Sequence, residues 1–314
     1  MSFVAHSAKM EGSHGHVQAT SRLKSVGREF YSLRPGDRVP SVRELAGRHG
    51  CSSGAVQAVI NDLRRLGALE LDRTPRRSVV DSVSMGPLWA ATEQTPLVLS
   101  LPLPANLRAQ GLATGLRQRL RDAEFDSYMT FARGSRNRLR VLRDGSCRIA
   151  VMSHFAATEL TSDGERLFTL PPGTFALERR VFEVESVSTR RELRVAVDAD
   201  SADLQRLTEI EFEGQSIVRV PAVYLQFLRL LIEREVDAAV WDLDESTQVL
   251  PQGIISRPLS ERVRRSVGDA DTSATFVVKT DDLPAQEIVR TILMHEETLR
   301  VQQEVIDHKR APDF

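Results

Sequence analysis

Two cysteines in 314 residues, Cys51 and Cys147, cannot build a disulfide framework and point to a reducing compartment. No run approaches about 18 uninterrupted apolar residues, so the sequence offers no membrane-spanning helix. Its first residues, MSFVAHSAKMEGSHGH, lack the basic-then-apolar order of a secretory signal, and a cytoplasmic location is expected. Absent too are a glycine-rich phosphate loop, a nucleophile elbow and a His/Cys metal cluster. These absences argue against an enzyme and against a bound cofactor or metal. What remains is ordinary globular composition, 41% hydrophobic and 27% charged, in a chain long enough for two domains.

Excess charge is missing as well, for the formal net charge is only −1, but that total conceals an asymmetry. Residues 1–80 carry 13 Lys and Arg against 7 Asp and Glu, whereas 81–314 carry 29 against 36. A basic small piece joined to an acidic large one suits a nucleic-acid-binding head on a separate partner domain. Chance clustering of solvated charge would give the same count.

Residues 1–16 are polar, without apolar period, and are expected as a disordered arm in which His14 and His16 are solvated. From Val17 a helical pattern begins, with Leu23, Val26, Phe30 and Tyr31 on one broad face. Leu33-Arg34-Pro35-Gly36-Asp37 reads as a turn. Pro40-Ser41 then opens a second helix, with Ser41 and Glu44 spaced as a capping box. Ser52 or Ser53 caps a third, whose apolar residues Val56, Val59, Ile60, Leu63 and Leu66 follow the 3.6 period until Gly67. Two short strands follow, around the basic turn Asp72–Arg77. Helices and a two-stranded wing in this order predict a winged helix-turn-helix over 17–81, with a linker at 82–95.

In that arrangement the third helix reads DNA. Its outward residues are Ser52, Ser53, Gly54, Gln57 and Asn61, and Gln and Asn side chains match the edge of adenine in the major groove. Arg38, Ser41 and Arg43 border the groove, and Arg73, Arg76 and Arg77 on the wing would meet phosphates. A small helical domain for protein contacts is the competing reading, and it gives the wing arginines no role.

The segment VPSVRELAGRHGCSSGAVQAVINDLRRLGAL, residues 39–69, resembles the winged helix of GntR-type regulators. Its Pro-Ser-x-Arg-Glu-Leu-Ala start, its turn serine and its Leu-x-x-Leu-Gly end all match. It departs where that family usually has arginine, since Ser53 and Gln57 stand there, and its wing tip lacks the family's glycines. The resemblance implies binding to double-stranded DNA but not the family's usual operator. At the turn position, Cys51 is expected to be a buried structural thiol.

From residue 96 the pattern alternates strands and helices. Strands are expected at Leu97–Leu101, Tyr128–Phe131, Arg148–Met152, Leu193–Val197, Ile217–Val220, Val236–Trp241 and Thr275–Lys279. Helices are expected at Leu107–Leu120, Asn137–Leu142, Ser201–Glu211, Val223–Arg234 and Pro284–Asp307. Two similar blocks with a final strand returning to the first predict a bilobal α/β domain over 96–314, its sheets parallel. Gly111 and Gly115 are expected to let their helix pack closely on the sheet.

LPLPANLRAQGLATGLRQRL, FARGSR, RIAVMSHFAA, RVAVDADSADLQ and VDAAVW resemble the effector domain of the YhfZ family, in order along the chain. That resemblance implies a GntR-like regulator with a type 2 periplasmic-binding-protein-like domain that senses a small molecule. In such folds ligands sit where strands end and helices begin. The strand ends nominate Pro104, Asn106, Arg133, Ser135, Ser153, His154, Asp198, Asp200, Ser201, Trp241 and Asp242. Arg133, Ser153, Asp198 and Trp241 head that group, although Ser153 and Ser201 are equally plain helix caps. The expected assembly is a homodimer. An alternative makes the large domain a dimerisation or protein-docking platform without ligand.

Overall fold

The computed structural model describes residues 19–74, 77–185, 192–244 and 247–314. The expected arm 1–16 and Arg76 lie outside the described residues, and Arg73 and Arg77 are described by backbone alone.

Helix α1 covers 19–27 and tightens into a 3₁₀ turn, Arg28–Phe30, that buries Phe30 beside Val26 and Tyr31. Helix α2, Val42–His49, opens with the full capping box: Ser41 Oγ accepts from Glu44 N, and the Glu44 carboxylate accepts from Ser41 N. Gly50 ends it in the left-handed conformation, φ 58°, where a side chain would be strained. Helix α3, Ser53–Arg65, is capped by Ser52 and buries Val56, Val59, Ile60 and Leu63. Strands β1, Leu69–Thr74, and β2, Arg77–Val83, pair antiparallel with a bulge at Glu70/Leu71. Cys51 is half-buried rather than buried.

Residues 82–95 are not the expected linker. After β2 they form helix α4, Met85–Thr92, which buries Met85, Gly86, Leu88, Trp89, Ala91 and Thr92. A helix buried on nearly every side shows no amphipathic period, so its pattern is invisible to a search for one face. A Cβ on Gly86 would collide with the carbonyl of Ala123. Arg28 holds the buried Glu93 carboxylate with both Nε and Nη2 (2.8 and 3.0 Å), and the Tyr31 and Thr92 hydroxyls are 2.9 Å apart. Residues up to Leu97 form one compact unit that also takes in Arg119–Ser127 and Leu283–Ile292. Those two segments were expected in the large domain. Within this unit Arg34 meets Glu287 at 2.5 Å.

The second unit, Val98–Gln118, Tyr128–Asp282 and Leu293–Phe314, contains two five-stranded sheets. The first has the order β4-β3-β5-β12-β6, with β3 Leu97–Leu101, β4 Ser127–Phe131, β5 Ile149–Ser153, β6 Glu165–Thr169 and β12 Ala274–Lys279. The second has the order β11-β7-β10-β8-β9, with β7 Glu178–Val184, β8 Leu193–Val197, β9 Ile217–Pro221, β10 Ala238–Leu243 and β11 Ile254–Pro258. Neither sheet is all parallel, contrary to expectation. β12 runs antiparallel to both β5 and β6, and β7 to both β10 and β11. β7 begins where the chain crosses from the first sheet to the second with no helix between, and β12 where it returns after the helix Glu261–Val267. Strands β6, β7 and β11 were not anticipated.

The glycines of helix α5, Leu107–Asp122, face helix α12, Glu296–Ile306, rather than the sheet as expected. A Cβ on Gly111 or Gly115 would sit 2.7 or 2.6 Å from the carbonyl oxygen of Gln302 or Thr298. The long C-terminal helix is interrupted: α11, Leu283–Ile288, passes into a π turn at Val289–Leu293 before α12 restarts beyond His295. Helices α6, Ser135–Arg143, α7, His154–Leu160, α8, Ala202–Glu211, α9, Phe227–Ile232, and α10, Glu261–Val267, complete the unit. Among the described residues no helix is long and apolar enough to cross a membrane, and no cluster of three metal-ligating side chains occurs.

Candidate functional site

A cleft opens within the second unit where β3, β8 and β10 end and α5, α6 and α8 begin. It has about 70 Å³ open to water-sized molecules. The strand-end rule brings Asn106, Ser135, Ser201 and Asp242 to its wall. Asn106 Oδ1 caps α5 by accepting from Ala109 N at 2.8 Å, and Ser135 Oγ accepts from Ala202 N, the first amide of α8, at 3.1 Å. The Ser201 side chain caps nothing, and α6 starts at Gly134 without a side-chain cap. The N-terminal ends of α6 and α8 therefore flank the cleft with the positive ends of their dipoles, although Ala202 N is taken by Ser135 Oγ and Arg136 N by Asp200 O.

The charged residues of the wall come mostly from inside elements and were missed by the sequence. Arg138 is 4% exposed on α6; its Nε donates to Val151 O at 2.7 Å and its Nη1 to Ala132 O at 2.8 Å. Arg179, 5% exposed on β7, donates from Nη2 to Asp203 Oδ2 at 3.0 Å and is ion-paired through Nη1 to Asp242. Its guanidinium carbon lies 5.9 Å from the centre of the Phe175 ring. Its Nε–H has no acceptor among the described residues. Burial pushes Arg138 down to about 10. Burial also works against the charge of Arg179, but Asp242, Asp203 and Asp271 outweigh it and hold that arginine protonated. Asp242 is pushed up to about 6 by burial despite Arg179, and the half-buried Tyr224 hydroxyl to about 12, chiefly by its partial burial.

The other nominated residues are committed elsewhere. Arg133 Nη1 holds both oxygens of the buried Asp198 at 2.9 Å and its Nη2 pairs with Asp200. Asp198 also accepts from Tyr224 N at 2.9 Å. With Arg136 Nε on Ala199 O, and Gly134 seated on the Asp200 backbone, these contacts clamp the first sheet's lobe to the second's along one rim of the cleft. Ser153 caps α7 and donates to Asp203 Oδ2 at 2.9 Å, so it braces the acid that holds Arg179. His154 Nδ1 lies 3.1 Å from Thr169 Oγ1, away from the wall. Pro104 contributes only its carbonyl, to Gln110. Trp241 packs on Tyr224 and Phe227, because successive strand residues face opposite ways and Asp242 takes the cleft side.

In the first unit, Ser53, Gly54 and Asn61 lie exposed on α3, and Gln57 Nε2 donates to Asn61 Oδ1 at 3.1 Å. Arg38 and Arg43 are exposed, whereas Ser41 and Ser52 are occupied as caps.

The family model for the YhfZ C-terminal domain matches residues 85–314. YhfZ of Escherichia coli (strain K12) is 28% identical over 300 residues, covering 93% of this chain and 96% of that protein. The crystal structure of YhfZ from Shigella flexneri aligns with a TM-score of 0.57 at 26% identity, over 70% of this chain and 93% of that one. A mutant of OxyR from Corynebacterium glutamicum aligns at 12% identity with a TM-score of 0.43, over 93% of this chain and 96% of that one.

Proposed function

The chain belongs to the YhfZ family, and from that premise we propose that it is a DNA-binding transcription regulator controlled by a small-molecule effector. The observation that carries this reading is α3: a helix whose buried stripe faces the first unit's core while Ser53, Gly54, Gln57 and Asn61 line its outer side. The order of α2 before it and the β1–β2 hairpin behind it supports reading this unit as a winged helix-turn-helix, with a GntR-like motif at 39–69. Gln57 Nε2 donates to Asn61 Oδ1 on this outer side, and amide side chains of this kind can make bidentate contacts with adenine. As a homodimer the protein would present two such helices to major grooves about 34 Å apart. The bilobal second unit, read as a type 2 periplasmic-binding-protein-like domain, supplies the effector cleft and acts by binding rather than by turnover.

Selection of duplexes from a random pool by the full chain tests the DNA half. On a selected duplex, Asn61→Ala should weaken binding about 10- to 100-fold, the usual contribution of one bidentate base contact, with little change on random duplex. Arg38→Ala with Arg43→Ala should weaken both and flatten the salt dependence. An Asn61→Ala protein that binds the selected duplex as well as the wild type would remove α3 from base readout.

A further inference from the structure

We propose that the cleft takes a small monocarboxylate, its anionic group received by Arg138 and Arg179 beneath the N-termini of α6 and α8. This rests on reading the cleft as the effector site and names the chemistry of its ligand.

Arg179 is 5% exposed, lines the cleft, and keeps an Nε–H for which the described residues provide no acceptor. A buried donor of this kind is rarely left unmet, so an acceptor is expected from outside the chain. Arg138, 4% exposed on the same wall, commits Nε and Nη1 to backbone carbonyls, and its remaining Nη2 has no partner among the described residues. Two buried guanidiniums, the positive dipole ends of two helices, and the Ser201 hydroxyl that caps nothing all line the cleft.

The acids on the wall set the size of the charge. Asp203 Oδ2 already accepts from Ser153 Oγ and Arg179 Nη2. Asp242 faces Arg179 from β10, with Asp203 and Asp271 nearby, in surroundings that favour its protonated form. A protonated Asp242 frees Arg179 Nη1 for a ligand oxygen and can itself donate a hydrogen bond. One entering negative charge is thus accommodated by one proton taken up. A dianion such as phosphate would have to share the site with Asp203 and a second unneutralised charge. The space, enough for about five water molecules, admits an acid of a few carbons.

The test is thermal melting of the full chain against glycolate, lactate and pyruvate, beside glycolamide, lactamide, ethanolamine and inorganic phosphate. At least one carboxylate should raise the melting temperature saturably by a few degrees, with its amide about 100-fold weaker. Arg179→Lys, which keeps the charge but loses the Nε–H, should lose the carboxylate response while melting near the wild-type temperature. An amide, amine or phosphate that stabilises as well as the acid would overturn the carboxylate and leave the effector reading standing. No response in any arm would overturn both.

Discussion

Arg179→Met should lower the stability of the second unit by about 3–5 kcal/mol, among the largest effects of any single change in the chain. The substitution keeps the packing volume but leaves Asp203 and Asp242 facing each other without the cation that lies between them. Removing one member of a buried ionic group strands the remaining charge, which costs far more than the intact group contributes. An exposed pair is the control: Arg300, on Glu297 and Glu304 at the surface of α12, should cost under about 1 kcal/mol when replaced by Ala. Urea unfolding followed by circular dichroism measures both. Adding Asp242→Asn to Arg179→Met should recover part of the loss, because the stranded charge is then removed. A loss for Arg179→Met no larger than that of the Arg300 control would mean the wall is solvated rather than buried.

Carboxylate affinity should fall up to tenfold per pH unit as the pH rises above about 6, and this dependence should vanish in Asp242→Asn. The sign follows from where the proton sits. Burial raises Asp242 from its ordinary value of 3.8 to about 6, with Arg179 opposing and Asp203, Asp244 and Asp271 assisting. A carboxylate placed beside it raises it further. Below about 6 the free and bound proteins are both protonated and affinity is flat. Above 6 the free protein has lost the proton that the complex holds, so binding must take one up and weakens as pH rises. Asparagine imitates the neutral carboxyl and should bind throughout the range from about pH 5 to about pH 8 as tightly as the wild type does at the acid end. Isothermal titration with the carboxylate identified by melting measures this. A wild-type affinity independent of pH, or one that grows with it, would contradict the role given to Asp242.

The sequence was most legible where local chemistry decides structure. The capping box at Ser41 and Glu44, the serine before α3 and the left-handed glycines at 50 and 67 mark the helices of the first unit almost to the residue. It was least legible where tertiary packing decides. Helix α4 is apolar on nearly every side and gives no period. Strands β7 and β11 carry Arg179, Arg180, Glu183 and Arg257, charges that disguise a sheet in which Arg257 reaches Glu183 across the ladder at 2.7 Å. The cleft divides the same way. Strand ends located Asn106, Ser135, Ser201 and Asp242, but Arg138, Arg179 and Asp203 sit within helices and strands, and only the fold brings them together. Arg133 and Asp198, expected as leading ligand contacts, satisfy each other. A guanidinium and a carboxylate at strand ends of two facing sheets are as suited to one another as to a ligand.

As proposed, the protein joins a DNA-reading head to a cleft that senses a small acid, and one titration addresses the join. The affinity of the full chain for a duplex selected from a random pool should be measured with and without a saturating amount of the carboxylate that raises its melting temperature. The expected change is about 5- to 150-fold, the range of ordinary coupling between two sites, with no change in Arg179→Lys, which no longer holds the acid. Equal affinity with and without ligand in the wild type would contradict it: the cleft would then bind without regulating the head.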